Sequence, residues 1–273
     1  ADGMGGHQAG DFASRFVVEN LVRFFETPYP DRDVHGILKE GIRKVNRELY
    51  EQASTNPELN GTGSTLVLAT IRGNVLYVAN IGDSRLYLLR GALEQITKDH
   101  SYVEELVAMG KLKRGSRDYM EKKNIITRAV GVSEDVDTDL FALKLKSGDQ
   151  ILMCSDGLSN MVDELEMEYI IRSEDGVEAR AKALVDAANR SGGQDNISVV
   201  LIAALMCSFM PTNFIIVVAA LFVLLHLYAL SIECAAIGLV LFLVLFLLYF
   251  RFSPKDTLAV ILTPISTAMG IPY

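Results

Sequence analysis

The chain has 273 residues, a formal net charge of −8 and three cysteines, and 50% of its residues are hydrophobic. This length allows one large domain or two smaller ones. All of the net negative charge falls within residues 1–206, because the two acidic and two basic side chains of residues 207–273 cancel. A net-acidic domain repels polyphosphate chains, which argues against nucleic acid as a partner. The cysteines form no C-x-x-C pair, which argues against a zinc knuckle or a disulfide framework.

Hydrophobic periodicity predicts two amphipathic helices within residues 10–53, followed by a β-rich region. Three strand-like runs, 65–71, Val75–Ile81 and Arg85–Arg90, are joined by short glycine-containing segments. Such joints predict an antiparallel meander. A further helix is expected around 101–110.

The second half of this domain shows a similar mixture of strands and helices. Residues 140–145 and Gln150–Cys154 predict a hairpin that turns at Ser147-Gly148-Asp149. Helices are expected at about 163–172 and 176–190, and a strand at 197–204. The order of elements predicts an α+β fold, in which antiparallel sheets pack against helices, and not a parallel doubly wound fold.

Residues 207–273 have a different character. Residues 214–232 carry no charge over about 19 residues, and residues 235–250 form a second uncharged run of about 16. Both runs are apolar on every face, so we expect a two-helix transmembrane hairpin; a pair of buried core helices is the alternative. Arg251 and Lys255 follow the second run, which favours a cytoplasmic position for that end and for the N-terminal domain.

Four aspartates lie next to glycine or asparagine at the ends of apolar runs: Asp2, Asp83, Asp156 and Asp195. An Asp before Gly is often a plain turn residue. Short carboxylates on tight turns also approach a divalent cation closely, and a neighbouring glycine lets a backbone carbonyl join them. Four such residues at strand ends therefore predict a divalent metal site at one edge of a sheet.

Seven segments occur in the order seen in bacterial members of the protein phosphatase 2C family and cover about residues 1–204: ADGMGGHQAG, GTGST, YVANIGDSRLYLLR, ITKDHS, ITRAVG, CSDGLSN and GGQDNISVVLI. The resemblance implies a β-sandwich of two antiparallel sheets flanked by helices. It also implies two Mg²⁺ or Mn²⁺ ions that share a bridging water. Such a pair of ions acidifies the water, so that hydroxide attacks the phosphoryl group without a protein nucleophile. The implied activity is hydrolysis of phosphoserine and phosphothreonine in proteins.

The same resemblance assigns roles to individual residues. Asp2 is similar to the carboxylate that bridges both metals, and Gly3 to the residue whose carbonyl is a ligand. Asp156 and Asp195 match the remaining protein ligands of one ion. Asp83 matches the acidic residue that helps to hold a weaker third metal in bacterial members of the family.

The leaving seryl or threonyl oxygen needs a proton. His7 is the best local candidate for this general acid, with a structural role as the alternative, since animal members of the family have a histidine where this chain has Met4. His100 is interpreted as a structural histidine.

A basic segment, 111–123, resembles the mobile flap beside the active site of the family, and a solvated surface is the alternative reading. Its cations are expected to contact a phosphopeptide. The residues selected for this role are Lys111, Lys113, Arg114 and Arg117.

Members of the family have two strands before the Asp-Gly-Met-Gly-Gly turn, whereas this chain begins at Ala1. We therefore expect an N-terminally truncated domain with weak or no activity by itself. The leading hypothesis is a membrane-attached, cytoplasmic-facing phosphatase that acts on phosphorylated proteins opposite a Ser/Thr kinase. The alternative hypothesis is a membrane-tethered, non-catalytic phosphatase-like module that binds or regulates a partner.

Overall fold

A computed structural model describes residues 1–26, 33–173, 176–193 and 195–203. Within them lie the helices α1 (His7–Phe25), α2 (Val34–Thr55), α3 (Tyr102–Ala108), α4 (Arg117–Lys122), α5 (Asp156–Ser159), α6 (Glu164–Ile171) and α7 (Val177–Arg190). The strands of the same residues are β1 (Gly3–Met4), β2 (Gly63–Ser64), β3 (Leu66–Arg72), β4 (Val75–Ile81), β5 (Arg85–Arg90), β6 (Ala92–Gln95), β7 (Asp139–Lys144), β8 (Gln150–Cys154) and β9 (Val199–Ala203). The chain divides into two units, Ala1–Phe209 and Met210–Tyr273, and every described residue belongs to the first.

The strands form three antiparallel sheets. One has the order β3-β4-β7, a second has the order β6-β5-β8-β9, and the short strands β1 and β2 pair with each other. The two larger sheets pack face to face through a buried apolar cluster. This cluster includes Leu76 and Val78 of β4, Leu86 and Leu88 of β5, and Ile151 of β8.

Each larger sheet also buries its outer face. Because successive residues of a strand point to opposite faces, Tyr87 of β5 and Leu152 of β8 point away from the first sheet and pack in a cluster with Leu184 of α7. In the same way, Ala79 and Ile81 of β4 pack in a third cluster with residues of α1 and α2. The result is a four-layer arrangement, helices on each side of two sheets, which confirms the predicted sandwich of antiparallel sheets flanked by helices.

The antiparallel pairing of the first two strands of the predicted meander, β3 and β4, is confirmed, but the pairing of β4 with β5 and the predicted hairpin were wrong. β4 and β5 belong to different sheets, and so do β7 and β8, so that the short joints 82–84 and 145–149 carry the chain from one sheet to the other. The first joint is buried, unlike a surface hairpin turn, and Gly82 within it has a φ of 97°. In the second joint the buried Asp149 accepts hydrogen bonds from the Lys146 N–H and from Arg90. The sequence of either joint suits a hairpin or a crossover equally well, because both need a tight turn.

Capping residues explain where the two helices near the first joint begin. Ser101 accepts a hydrogen bond from the Glu104 N–H at the start of α3. Ser116 accepts one from the Tyr119 N–H at the start of α4. Serine is among the preferred residues at this position because its hydroxyl satisfies an otherwise free N–H. The basic segment of the sequence therefore contains a short helix, α4, which periodicity did not predict.

Among the helices described here, none combines the length and the apolar character that crossing a membrane requires. The predicted spans at about 214–232 and 235–250 lie outside the described residues.

Candidate active site

Three of the four selected aspartates lie at points where the chain enters or leaves the sandwich. Asp2 directly precedes β1, Asp83 occupies the buried joint between β4 and β5, and Asp156 is the first residue of α5, directly after β8. These positions come from separate parts of the chain, and the pairing of β5 with β8 brings Arg85 opposite Cys154. The ends of these two strands therefore carry Asp83 and Asp156 towards each other.

Asp195 is held near Asp156 by a backbone contact. The Ser155 hydroxyl donates to the Asn196 carbonyl at 2.9 Å. Gly157 lies against the same carbonyl so closely that a Cβ at this position would be 2.4 Å from the Asn196 oxygen. Packing therefore requires glycine at position 157. Because Asp195 directly precedes Asn196, the same contact places Asp195 near the start of α5. The Asp195 side chain is exposed and accepts a hydrogen bond from the Asn196 N–H.

A small polar cavity of about 230 Å³ opens beside these residues. Its lining contains acidic groups from both sheets and side chains from the flap helix α4. The residues that line it are Asp83, Arg85, Asp99, Ser101, Tyr119, Met120, Lys123, Asp156, Ser159 and Asn160. The Ser159 hydroxyl is buried and has no hydrogen-bond partner among the described residues. The cavity thus combines several carboxylates with an unsatisfied hydroxyl.

Burial, and after it the repulsion between the carboxylates, changes the protonation of these groups. Burial, followed by the charges of Asp156 and Asp195, raises the pKa of Asp2 to about 6. Burial, followed by the charges of Asp156 and Asp99, raises the pKa of Asp83 to about 7. Both effects favour the neutral form of the acid. A nearby cation would reverse them.

Asp156 lies at the centre of this group. Its carboxyl shares a hydrogen bond with Asp2 and accepts another from Asn160 Nδ2 at 3.0 Å. Burial, followed by the charge of Asp195, raises the pKa of Asp156, whereas the positive charge of Lys123 acts to lower it. Asp156 is therefore the residue whose charge acts on both Asp2 and Asp83.

These groups suit a hard divalent cation. Mg²⁺ and similar ions take oxygen ligands, keep several of their waters and need only one or two carboxylates from the protein. Within the described residues, no group of three or more His, Cys, Asp or Glu side chains is arranged to hold a metal ion unaided. The oxygen-only donors and the raised pKa values of Asp2, Asp83 and Asp156 nevertheless fit ions whose coordination is completed by water.

Gly3, selected for its carbonyl, lies where only glycine fits. It pairs with Ser64, and a Cβ built on it would be 1.8 Å from the carbonyl oxygen of Gly10 in α1. The turn that carries Asp2 is therefore packed backbone to backbone against the first turn of α1. His7 begins this helix, but its side chain lies outside the described residues, and its role as a general acid stays a prediction.

The four selected flap cations do not line the cavity. Arg114 Nη2 is 2.5 Å from Glu104 Oε2, and the exposed Arg117 pairs with Glu121 in the next turn of α4. Lys111 and Lys113 are exposed. The flap groups that do line the cavity are Tyr119, Met120 and Lys123. The residues of the flap that face the cavity are therefore not the four cations that were selected from the sequence.

His100 agrees with the structural role expected for it. It is 7% exposed, its Nδ1 accepts the Gly82 N–H at 3.1 Å, and its Nε2 is 3.2 Å from Asp139 Oδ2. Because Nδ1 is an acceptor, the ring proton of the neutral form is on Nε2 and donates to Asp139. The imidazole thus ties the joint that carries Asp83 to the edge of β7.

Sequence reasoning missed two features of the site. Arg85 and Asp99 both line the cavity and form an ion pair with each other. Thr65 contacts the backbone of Asp2 and the side chain of Ser84. Arg85, Asp99, Thr65 and Ser84 all occur in segments that carried the family resemblance, so the sequence marked them as part of the family pattern. It did not show their contacts, because these join residues that are far apart in the chain.

A second, larger cavity of about 860 Å³ is lined by none of the four selected aspartates. It lies between α1, α2 and the edge of β3, and its lining is mainly apolar, with Leu21, Phe25 and Leu68 among its residues. Its composition does not match the chemistry of the polar cavity.

The comparisons with known proteins agree with this geometry. The family model described as Protein phosphatase 2C matches residues 1–194. A serine/threonine phosphatase, stp, from Listeria monocytogenes is 40% identical over 206 residues, which cover 74% of this chain and 82% of that protein. The crystal structure of Stp1 from Staphylococcus aureus superposes with a TM-score of 0.71 at 35% identity and covers 75% of this chain and 82% of that one.

A third relative was crystallised with metal. The catalytic domain of the serine/threonine protein phosphatase PstP, in complex with two manganese ions, superposes with a TM-score of 0.65 at 36% identity. This match covers 73% of the present chain and 83% of the PstP domain. With the four-layer fold, the acidic cavity and a family model that matches more than half of the sequence, the chain belongs to the protein phosphatase 2C family.

Proposed function

We propose that this chain is a protein serine/threonine phosphatase that hydrolyses phosphoserine and phosphothreonine with the help of Mn²⁺ or Mg²⁺. The observation that carries the proposal is that Asp83 and Asp156 line one small polar cavity and that Asp2 lies close enough to Asp156 for their charges to interact, with the pKa values of all three raised. Such a group of carboxylates is unfavourable alone and becomes favourable around a divalent cation. The sequence identity of 40% to a serine/threonine phosphatase supports the same activity.

In this proposal Asp2, Asp156 and Asp195 hold the two principal ions, together with the carbonyl of Gly3. Asp83, on the other side of Asp156, helps to hold a third. The bound ions supply a water acidic enough to be a nucleophile near neutral pH and neutralise charge on the phosphate. The protein's own part is to fix these oxygen donors, through the packing of Gly3 on α1 and of Gly157 on Asn196.

The remaining parts of the cavity suggest how a substrate is held. Lys123 is the flap cation that lines the cavity, and we assign to it the contact with the phosphate. Tyr119 and Met120 offer apolar surface to the residues beside the phosphorylated side chain. His7, at the start of α1, remains our candidate for protonating the leaving oxygen. These assignments are proposals about the roles of the residues.

We also propose, from the sequence alone, that the enzyme is attached to a membrane with its phosphatase domain in the cytoplasm. The uncharged runs at about 214–232 and 235–250 favour attachment to the lipid bilayer, and Arg251 and Lys255 favour a cytoplasmic phosphatase domain. A cytoplasmic phosphatase of this kind works opposite a Ser/Thr kinase, which we propose as its partner. Cell fractionation followed by protease protection tests both the attachment and the orientation.

The activity is tested by phosphate release from a phosphothreonine peptide with and without Mn²⁺. Whatever the level of metal-dependent release by the wild-type chain, Asp156→Ala and Asp195→Ala should lower it by about 100-fold or more, because each removes a group that binds the ions. Asp186→Ala, an exposed position on α7, is the control and should retain the activity of the wild type. A chain that neither binds Mn²⁺ in calorimetry nor releases phosphate would support the non-catalytic alternative.

A further inference from the structure

The Gly-Thr-Gly-Ser-Thr segment, residues 61–65, surrounds the turn that carries Asp2. Gly63 and Ser64 form β2, which pairs with Gly3 and Met4. Thr62, which is fully buried, places its hydroxyl 2.8 Å from the Met4 carbonyl. This segment was part of the family resemblance, but no chemical role followed from its sequence. In the structure it is the surface on which the Asp2 turn is built.

The backbone of Asp2 is fixed by three hydrogen bonds to the end of this segment. The Asp2 N–H donates to Thr65 Oγ1 at 2.9 Å, and the Asp2 carbonyl accepts from the Thr65 N–H at 2.8 Å. The same carbonyl accepts from the Ser64 hydroxyl at 3.0 Å. Thr65 therefore holds Asp2 from both sides of its backbone.

The same threonine also contacts the joint that carries Asp83. Thr65 Oγ1 is 2.7 Å from Ser84 Oγ, a hydrogen bond in which either hydroxyl can be the donor. On the other side of Asp83, a Cβ built on Gly82 would be 2.7 Å from Thr65 Cγ2. The side chain of Thr65 thus contacts both neighbours of Asp83, its hydroxyl on Ser84 and its methyl group on Gly82.

Both hydroxyls are shielded from water. Thr65 is 4% exposed and Ser84 is 1% exposed. Solvent therefore cannot take over the hydrogen bonds of either group if its partner is removed, and a buried donor left without a partner is costly. A hydroxyl is both a donor and an acceptor, so a single oxygen can join two segments of the chain.

We propose that Thr65 is a positioning residue whose hydroxyl joins the Asp2 turn to the Asp83 joint and so fixes the spacing between the principal metal ligands and the third-metal ligand. This inference rests on the proposed function, since it assumes that these carboxylates bind Mn²⁺ or Mg²⁺. Thr65 does not itself touch the ions. It acts through the backbone of Asp2 and through Ser84.

The test compares Thr65→Val, which keeps the branched shape and removes the hydroxyl, with Thr65→Ser, which keeps the hydroxyl. Thr70→Val is the matched control, because Thr70 lies five residues further along the chain, within β3, which begins directly after Thr65. Mn²⁺ binding to the full chain is measured by calorimetry and by the rise in melting temperature that Mn²⁺ produces, alongside phosphatase activity. We expect Mn²⁺ affinity to fall about tenfold in Thr65→Val, which loses the buried hydrogen bonds to the Asp2 N–H and to Ser84, and to stay within about twofold of the wild type in the other two variants.

Ser84→Ala provides a second test in case Thr65→Val does not fold, because it removes only the far end of the link. We expect it to weaken Mn²⁺ binding, and we expect the combined Thr65→Val/Ser84→Ala variant to lose less than the sum of the single effects, since both delete the same contact. Wild-type affinity in Thr65→Val, or in Ser84→Ala where Thr65→Val does not fold, would overturn the inference and leave the proposed function intact. A wild-type chain that binds no Mn²⁺ would overturn the proposed function.

Discussion

The guanidinium of Arg85 forms a bidentate ion pair with the carboxylate of Asp99 in the wall of the acidic cavity. Arg85 Nη2 is 2.7 Å from Asp99 Oδ2, and Arg85 Nε is 3.0 Å from both oxygens. Tyr87 and Gln95 complete the arrangement, since Arg85 donates to the Tyr87 hydroxyl and Gln95 donates to Asp99. The charge of Arg85 is therefore already neutralised within the protein. A phosphate that enters the cavity has to meet a different cation.

Asp99→Asn should destabilise the protein by about 3 kcal/mol, because it leaves the charge of Arg85 buried without its partner. The two side chains are only 19% and 9% exposed, so water cannot replace the lost carboxylate. Chemical denaturation in urea measures the effect. Glu121→Gln breaks the exposed pair with Arg117 and should cost less than about 0.5 kcal/mol. Equal effects of the two substitutions would show that the buried pair has no special importance.

Lys123→Ala should lower kcat/KM for a phosphothreonine peptide by about tenfold, since a charge-assisted hydrogen bond to phosphate contributes on the order of 1.5–3 kcal/mol. Lys123 is the flap cation that lines the cavity, and its charge acts to lower the pKa of Asp156. The double variant Lys111→Ala/Lys113→Ala is the control, because both side chains are exposed and neither lines the cavity. Its kcat/KM should stay within about twofold of the wild type. The reverse ranking would restore the original prediction for the flap.

The strands could be predicted from the sequence more accurately than their partners. The predicted bounds of β4 and β5 match those in the structure. Their assignment to one meander was wrong, because β4 is apolar on both faces: Leu76 and Val78 face the second sheet, whereas Ala79 and Ile81 face the helices. Alternation shows that both faces are buried, but it does not show which sheet covers each face.

The acidic residues of the site were recognisable because an Asp next to Gly or Asn at the end of an apolar run is a local pattern. The supporting contacts are not local. Thr65 and Asp2 are 63 residues apart, and Arg85 and Asp99 are 14 residues apart in different elements of the structure. No spacing rule connects such pairs, so the residues that position the acids emerged only from the folded chain. The contacts of the flap are likewise invisible to a spacing rule, since Arg114 pairs with Glu104 of α3, ten residues earlier in the chain.

Mn²⁺ binding should release protons and weaken as the pH falls from about 7 to 5. The metal-free chain holds Asp2 and Asp83 with pKa values of about 6 and about 7, so both acids are largely protonated at pH 5. An ion can bind these carboxylates only after the protons leave. Calorimetry at pH 6 in two buffers with different ionisation enthalpies should detect about half a proton released when an ion binds Asp2 and close to one proton when an ion binds Asp83. Binding that is independent of buffer and pH would contradict the proposed ligands.

Asp83→Asn should stabilise the metal-free protein at pH 8 by about 2 to 4 kcal/mol and by less than half as much at pH 5. The pKa of Asp83 in the folded chain, about 7, lies above the ordinary value of 3.8, so the folded state binds the extra proton between these values. Stability from this group is therefore present at low pH and lost as the pH rises through 7, and asparagine removes the charge that causes the loss.

Urea denaturation at both pH values, with the exposed Asp186→Asn as control, measures the difference in the free energy of unfolding. In Mn²⁺ the advantage of Asp83→Asn should shrink or reverse, because the wild-type carboxylate then has a cation beside it; an equal gain with and without Mn²⁺ would exclude Asp83 as a metal ligand.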